Sequence, residues 1–358
     1  MDTLLTLRRR HLLGLAGAMG TLALAGCHDT RKDTAHNTQR FSGQTMGSSY
    51  TVRLAGPAYS PARLERLQAD VQSALDAVDQ RMSLYRAGSE LVRFNQAAAG
   101  QPLPLSQPLL QVLQAAEQVS ILTTGAFDVT VAPLVMAWGF GPDAQPGGPA
   151  VPSAAQVQAG RRVLGHRALA LDPQHALATK HLAGLQADLG GIAKGYGVDV
   201  AAQALLSQGV QQFMVEVGGE VRTAGRNTQG RPWQIGIEEP DAVPQRARLV
   251  VPLSGQAMAT SGDYRIYFEQ DGRRYSHEID PRSGEPVTHG LASVTVVADD
   301  CMHADALATA LIVLGPQAGM ALAQREHLAA HFILRAADGR LLDRSSDAFA
   351  ALLGAQTA

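Results

Sequence analysis

Cysteine is scarce in this 358-residue chain: there are two, Cys27 and Cys301. Cys27 lies at a processing site, which argues against an internal disulfide as a source of stability. Net charge is also small, −2, and no basic cluster occurs in the body of the chain, so a nucleic-acid partner is not expected. There are only two tryptophans. Heptads, solenoid repeats and low-complexity blocks are missing. Regular βα alternation is missing too, which speaks against a doubly wound Rossmann sheet and for an α+β fold. Alanine and glycine are abundant, and the length suffices for one large or two ordinary domains with a real core.

The first 27 residues read as a targeting segment. Arg8, Arg9 and Arg10 precede an apolar stretch over residues 12–25, and Leu24-Ala25-Gly26-Cys27 then resembles a bacterial lipobox, with Cys27 the lipidated N-terminus after cleavage. Arg9-Arg10-His11-Leu12-Leu13 loosely resembles a twin-arginine signal, so Sec and twin-arginine export both stay open. The apolar run is shorter than the ~20 residues that a membrane span needs. Residues 28–40 are polar and aperiodic and read as a tether, with folding expected from Phe41 onward.

Beyond the tether, residues 50–54 alternate as a strand. Ser60-Pro61 opens a helix whose apolar positions, Leu64, Leu67, Val71, Leu75, Val78 and Met82, recur three or four apart. Ser89 and Ser153 are placed to cap further helices, and another is expected over residues 108–122. Residues 141–152 hold several Pro and Gly and read as a surface loop. Short strands are expected after Ala168, including residues 185–189, 212–217 and 233–237. Hairpins are expected over residues 264–278, turning at Asp271-Gly272, and near the end, turning at Asp338-Gly339. Residues 291–298 alternate as a strand, followed by an acidic turn and a helix of about three turns that Gly315-Pro316 stops.

That last helix carries the first candidate site. Asp305 and Thr309 are four apart and share a face, while Leu307, Leu311 and Leu314 face the core. A carboxylate and a hydroxyl one turn apart offer two oxygens to a hard cation such as Mg²⁺; the alternative is an Asp that only complements the helix dipole. Asp188-Leu189-Gly190-Gly191-Ile192-Ala193-Lys194 joins a strand to a helix and presents free N–H groups suited to phosphate. Its spacing fits neither a Walker A loop nor a dinucleotide fingerprint. His277, in the second hairpin strand, is a candidate base. Tyr85 and Phe127 are candidates to stack on a flat ring, Asp128 for a polar contact.

Taken together, these motifs resemble the ApbE family of FAD:protein FMN transferases. The matching stretches run in order through Thr45-Met46-Gly47, Met82-Ser83-Leu84-Tyr85-Arg86, Gly125-Ala126-Phe127-Asp128 and the Asp188 to Lys194 turn. They continue through Val217-Gly218-Gly219, Ser261-Gly262-Asp263-Tyr264, Tyr275-Ser276-His277-Glu278-Ile279-Asp280-Pro281 and Ala304-Asp305-Ala306-Leu307-Ala308-Thr309. The resemblance implies one large two-lobed catalytic unit over residues 41–358. It implies an enzyme that binds FAD with Mg²⁺, cuts the pyrophosphate, and moves FMN onto a Ser or Thr hydroxyl of a target protein, releasing AMP. The implied metal ligands are Asp305, Thr309 and the backbone carbonyl of Gly191. The implied FAD contacts are Met46, Tyr85, Ala126, Phe127, Asp128, Asp188, Lys194 and Ile279, with His277 for proton transfer. The implied partners are FAD, a membrane redox subunit as acceptor, and the membrane itself through lipid on Cys27, on the periplasmic side of the bacterial inner membrane. One departure is Glu216, where the family often has Asn. Two other activities would use the same residues: Mg²⁺-dependent FAD hydrolysis to FMN and AMP, and non-catalytic FAD binding.

Overall fold

The structure, a computed structural model, describes residues 38–142 and 150–354. The targeting segment, Cys27 and most of the tether and of the 141–152 loop lie outside the described residues. Its frame is one eight-stranded antiparallel sheet. The strands are β1 (Gln39–Thr45), β2 (Ser48–Leu54), β3 (Phe213–Val217), β4 (Glu220–Ala224), β5 (Ala257–Gly262), β6 (Leu291–Ala298), β7 (Ala329–Arg335) and β8 (Leu341–Ser345). They lie side by side in chain order, each antiparallel to the next. The fold is therefore α+β, as the irregular mixture of elements predicts, and the helices are excursions between neighbouring strands, save Asp347–Gly354, which follows the last strand. β6 is buried on both faces: Val294 and Val296 face the helices, whereas Ala292 and Val297 face a layer with Trp233 and Phe349.

Folding begins two residues before Phe41. Gln39 pairs with Leu54, and its amide exchanges hydrogen bonds with Tyr59 at 2.9 and 2.7 Å. The long β2–β3 connection holds α1 (Pro61–Met82), capped by Ser60, and α2 (Ala193–Ser207). Leu67, Val71 and Leu75 of α1 pack with Val198, Ala201 and Leu205 of α2 over the first strands. Ser89 and Ser153 cap short helices as expected. Residues 185–189 form no ladder, contrary to expectation. The Asn95 side-chain amide bonds both the N–H and the C=O of Ala187, each at 2.8 Å, and so takes the place of a neighbouring strand.

The helix after β6 is α3 (Cys301–Arg325). Gly315 interrupts it at φ 80°, but Pro316 starts a second helical segment rather than ending the element. By length and composition α3 is apolar enough to cross a membrane, yet 61% of its most apolar window is buried inside the fold. It is the core helix, and it cross-caps α2. Residue 192 gives α2 no side-chain cap; Asp305 of α3 accepts the Gly195 amide instead, at 2.9 Å. Asp199 of α2 in turn accepts the amides of Cys301 and Met302, at 3.0 and 2.9 Å. Each helix start thus finds an acceptor on the other.

Gly195 lets the two helices meet. A β-carbon there would lie 2.2 Å from the Cys301 carbonyl oxygen, which is backbone and cannot step aside. Gly195→Ala is therefore expected to cost roughly 3 kcal/mol or more, the upper range of overpacking. Denaturant midpoints check this, and an unchanged midpoint would contradict the close packing.

Candidate active site

A cleft of about 990 Å³ opens where the sheet, the α2–α3 pair and the β5–β6 connection meet, and it is lined by all of the twelve body residues singled out from the sequence. That volume suits a dinucleotide-sized ligand. Met46 and Gly47 form the β1–β2 turn at its rim, both with positive φ. Tyr85, where the chain leaves α1, is 73% exposed at the mouth. Ala126 and Phe127 are buried in its wall, and Ile279 follows His277 on the opposite side.

Its floor gathers oxygen donors. Asp305 is only 3% exposed. Burial pushes its carboxyl above the usual range, while Lys194 and the Gly195 amide pull it back. One turn on, Thr309 Oγ1 lies 3.1 Å from Ser261 Oγ. Gly191 completes the floor: a β-carbon there would sit 2.9 Å from Thr309 Oγ1 and 3.3 Å from the Phe127 ring, so only glycine leaves this space open. Among the described residues no group of three His, Cys, Asp or Glu side chains is arranged to hold a metal. One carboxylate with neutral oxygens fits a hard cation that shares its remaining positions with water and a phosphate ligand, and that is the donor set present.

Lys194 lies beside this floor, 2.5 Å from Glu220 Oε1. Burial alone would depress its ammonium, but Glu220 and Asp305 outweigh that and hold it charged, above the usual lysine range. Burial pushes Glu220 up to about 7 against the pull of Lys194. Its other oxygen, Oε2, is buried without a hydrogen-bond partner. Sequence reasoning did not single out Glu220; a carboxylate after Gly218-Gly219 looks like a solvated turn until the fold brings it to Lys194. Ser261 was likewise visible only as part of a motif, not as the neighbour of Thr309.

The aspartates differ from expectation in detail. Asp188 Oδ1 accepts the Gly190 amide at 2.7 Å and so shapes the glycine turn; burial raises its carboxyl. Asp128 has both oxygens engaged inside the protein, with Thr130 N and Oγ1 at 2.8 and 2.7 Å and His166 N at 2.8 Å. Losing it would loosen this turn as well as the cleft wall. Glu216 turns back to accept the Gly219 amide at 2.8 Å.

His277 is not within a strand. The hairpin ladder spans Tyr267–Gln270 and Arg273–Ser276 and ends at the Tyr267–Ser276 pair, so the imidazole is set just past it. Its Nδ1 lies 3.1 Å from the Ile266 carbonyl. A carbonyl only accepts, so Nδ1 bears the hydrogen and Nε2 keeps the lone pair. Burial lowers its pKa to about 4, so the ring is neutral at physiological pH. The cleft thus combines an oxygen-lined floor, a charged lysine and a neutral imidazole.

The chain matches the ApbE family over residues 46–332. A FAD:protein FMN transferase of Vibrio cholerae is 41% identical over 332 residues, which span 92% of this chain and 95% of that protein. One from Haemophilus influenzae is 39% identical over 345 residues, 95% of this chain and 97% of that protein. Among solved structures, the flavinyl transferase ApbE of Pseudomonas stutzeri in its apo form superposes with a TM-score of 0.80 at 42% identity, covering 89% of this chain and 97% of that one. The ApbE protein of Thermotoga maritima gives 0.79 at 27% identity, covering 88% and 99%.

Proposed function

The chain belongs to the ApbE family, and from that premise we propose that it is a FAD:protein FMN transferase. In this reading it moves FMN from FAD onto a Ser or Thr hydroxyl of a target protein, with Mg²⁺, and releases AMP. The observation that carries the reading is the floor of the cleft: a buried carboxylate, a hydroxyl and an open glycine that share the cleft with a charged lysine and a neutral histidine. Phosphoryl transfer asks for that combination, charge neutralised on phosphate oxygens and a nucleophile relieved of its proton.

Asp305, Thr309 and the Gly191 carbonyl would hold the cation. When bound, Mg²⁺ supplies Lewis-acid stabilisation of the phosphate oxygens. Lys194, kept charged by Glu220, adds a fixed positive charge on the same side. His277 Nε2 takes the proton of the acceptor hydroxyl. Tyr85 offers an aromatic face at the mouth, where the flat flavin ring has room. In-gel flavin fluorescence tests the proposal directly, after incubation with FAD, Mg²⁺ and candidate membrane redox subunits. Protein-bound fluorescence supports it. Free FMN with AMP points to a pyrophosphatase, and intact FAD to a binding protein.

The same proposal sets the enzyme at the cell envelope, facing the periplasm, with lipid on Cys27 and a membrane redox subunit as acceptor. Its support is the lipobox Leu24-Ala25-Gly26-Cys27 after an apolar run. Cys27→Ser is expected to move the protein from the membrane to the soluble fraction and to abolish metabolic lipid labelling. Equal partitioning and labelling of both forms would count against the anchor.

A further inference from the structure

The carboxylates around the cleft differ in what faces them. Glu220 has Lys194 at 2.5 Å, Asp263 has Arg335 at 2.7 Å, and Asp305 has the Gly195 amide at 2.9 Å. Glu278 is 6% exposed and lines the same cleft. Among the described residues, the one basic side chain within ion-pair distance of it is His277, with Nε2 at 3.7 Å from Oε1. The ring is held from its far side by the Ile266 carbonyl, so the nitrogen nearest Glu278 is the one with the lone pair.

The His277 side chain is 34% exposed, and a half-buried imidazole that takes a proton becomes a cation with reduced hydration, which is costly unless a negative charge stands beside it. Resting on the transferase reading, we propose that Glu278 is the counter-charge of His277: as a carboxylate it stabilises the imidazolium formed when Nε2 takes the proton of the incoming hydroxyl. The hydroxyl O–H bond breaks and its proton goes to Nε2. The hydroxyl oxygen bonds to the phosphorus of FMN, and the P–O bond to AMP breaks with its electron pair on the AMP oxygen. The proton then leaves Nε2 for water. Glu278 touches neither substrate nor metal in this scheme; it is a positioning residue that acts through His277.

The charges around the pair define when it works. Burial is the largest influence and pushes Glu278 up to about 8. Lys194 from α2 opposes this, and Asp263 after β5 and Asp305 on α3 add to it. On the His277 side, burial lowers the ring, the Ile266 carbonyl raises it, and Lys194 lowers it further. Glu278 is thus an uncharged acid at neutral pH, and the counter-charge appears as pH rises through about 8.

The test is the pH–rate profile of FMN transfer at saturating FAD and Mg²⁺, for wild type, Glu278→Gln and Glu278→Asp. Wild type is expected to speed up as pH passes about 8. Glu278→Gln keeps the shape of the side chain, loses that rise, and is about tenfold slower on the alkaline side, because a neighbouring charge shifts a base by one unit or more. Glu278→Asp restores the rise. A Glu278→Gln profile that superimposes on wild type overturns the proposal. A measurement on the unaltered protein guards against a variant that misfolds: with ¹⁵N-labelled histidine, the His277 Nε2 resonance should shift as Glu278 ionises. A resonance that stays fixed through that range also overturns the proposal. Failure of the transferase reading looks different, since wild type would then transfer no FMN at any pH.

Discussion

Asp305→Ala is expected to remove most of the Mg²⁺ affinity and to slow FMN transfer about a thousandfold. Asp305 carries the formal charge among the oxygen donors of the cleft floor. Losing about 4 kcal/mol of charge stabilisation, within the range of a Lewis-acid contribution, corresponds to about three powers of ten in rate. Thr309→Val removes a neutral donor and the contact with Ser261, and is expected to weaken metal binding less. The fold adds a complication invisible in the sequence: Asp305 also caps α2 through the Gly195 amide. The alanine variant therefore loses about 1 kcal/mol of stability, as helices without a cap do, although Leu307 and Leu311 remain packed. Asp305→Asn separates the two roles, because its amide oxygen can still accept from Gly195 while the charge is gone. It should melt close to wild type and fail in calorimetric Mg²⁺ titration. Wild-type metal affinity in Asp305→Asn would remove the basis for assigning the metal to this floor.

His277→Ala is expected to bind FAD with little change and to lose transfer by roughly a hundred- to ten-thousand-fold, the worth of a placed general base. The pH dependence has a definite sign. Burial holds the His277 pKa near 4, below that of an exposed imidazole. Nε2 is consequently free over the whole neutral range, and base function is lost only as pH falls through about 4. The same shift links to stability: a depressed histidine favours the fold above its unfolded pKa, and this contribution is lost as pH drops through the folded value. His277→Ala should therefore show a flatter acid limb in both activity and melting temperature. An unchanged transfer rate in this variant would move the base to a carboxylate.

The local part of this architecture was legible in the sequence. Ser60, Ser89 and Ser153 cap the helices that they precede because capping uses only neighbouring residues. The turn at Asp271-Gly272 reads correctly because both residues take positive φ, which their types tolerate. Legibility ended where long-range contacts decide. Asn95 replaces a strand beside Ala187 from 92 residues away. Asp199 and Asp305 cap each other's helices across about a hundred residues, so each looks like an ordinary helical acid in isolation. His277 was expected within a strand, but the hairpin ladder stops one residue earlier. Glu220 and Glu278 carried no local signal of burial. Helical spacing reached Asp305 and Thr309, and local residue chemistry reached Tyr85, Phe127, Asp128, the Asp188 to Lys194 turn and His277, whereas Met46, Ala126 and Ile279 were named through the family resemblance alone.

The measurement that bears most directly on the account is the intact mass of a candidate acceptor subunit, taken alongside released AMP. It compares wild type and Asp305→Asn, each incubated with FAD and Mg²⁺. The account predicts that wild type adds FMN less one water to the acceptor, one AMP for each FMN attached, with the bond on a Ser or Thr hydroxyl, and that Asp305→Asn produces neither. An acceptor left unlabelled while wild type releases free FMN, or equal labelling by the two proteins, would contradict it.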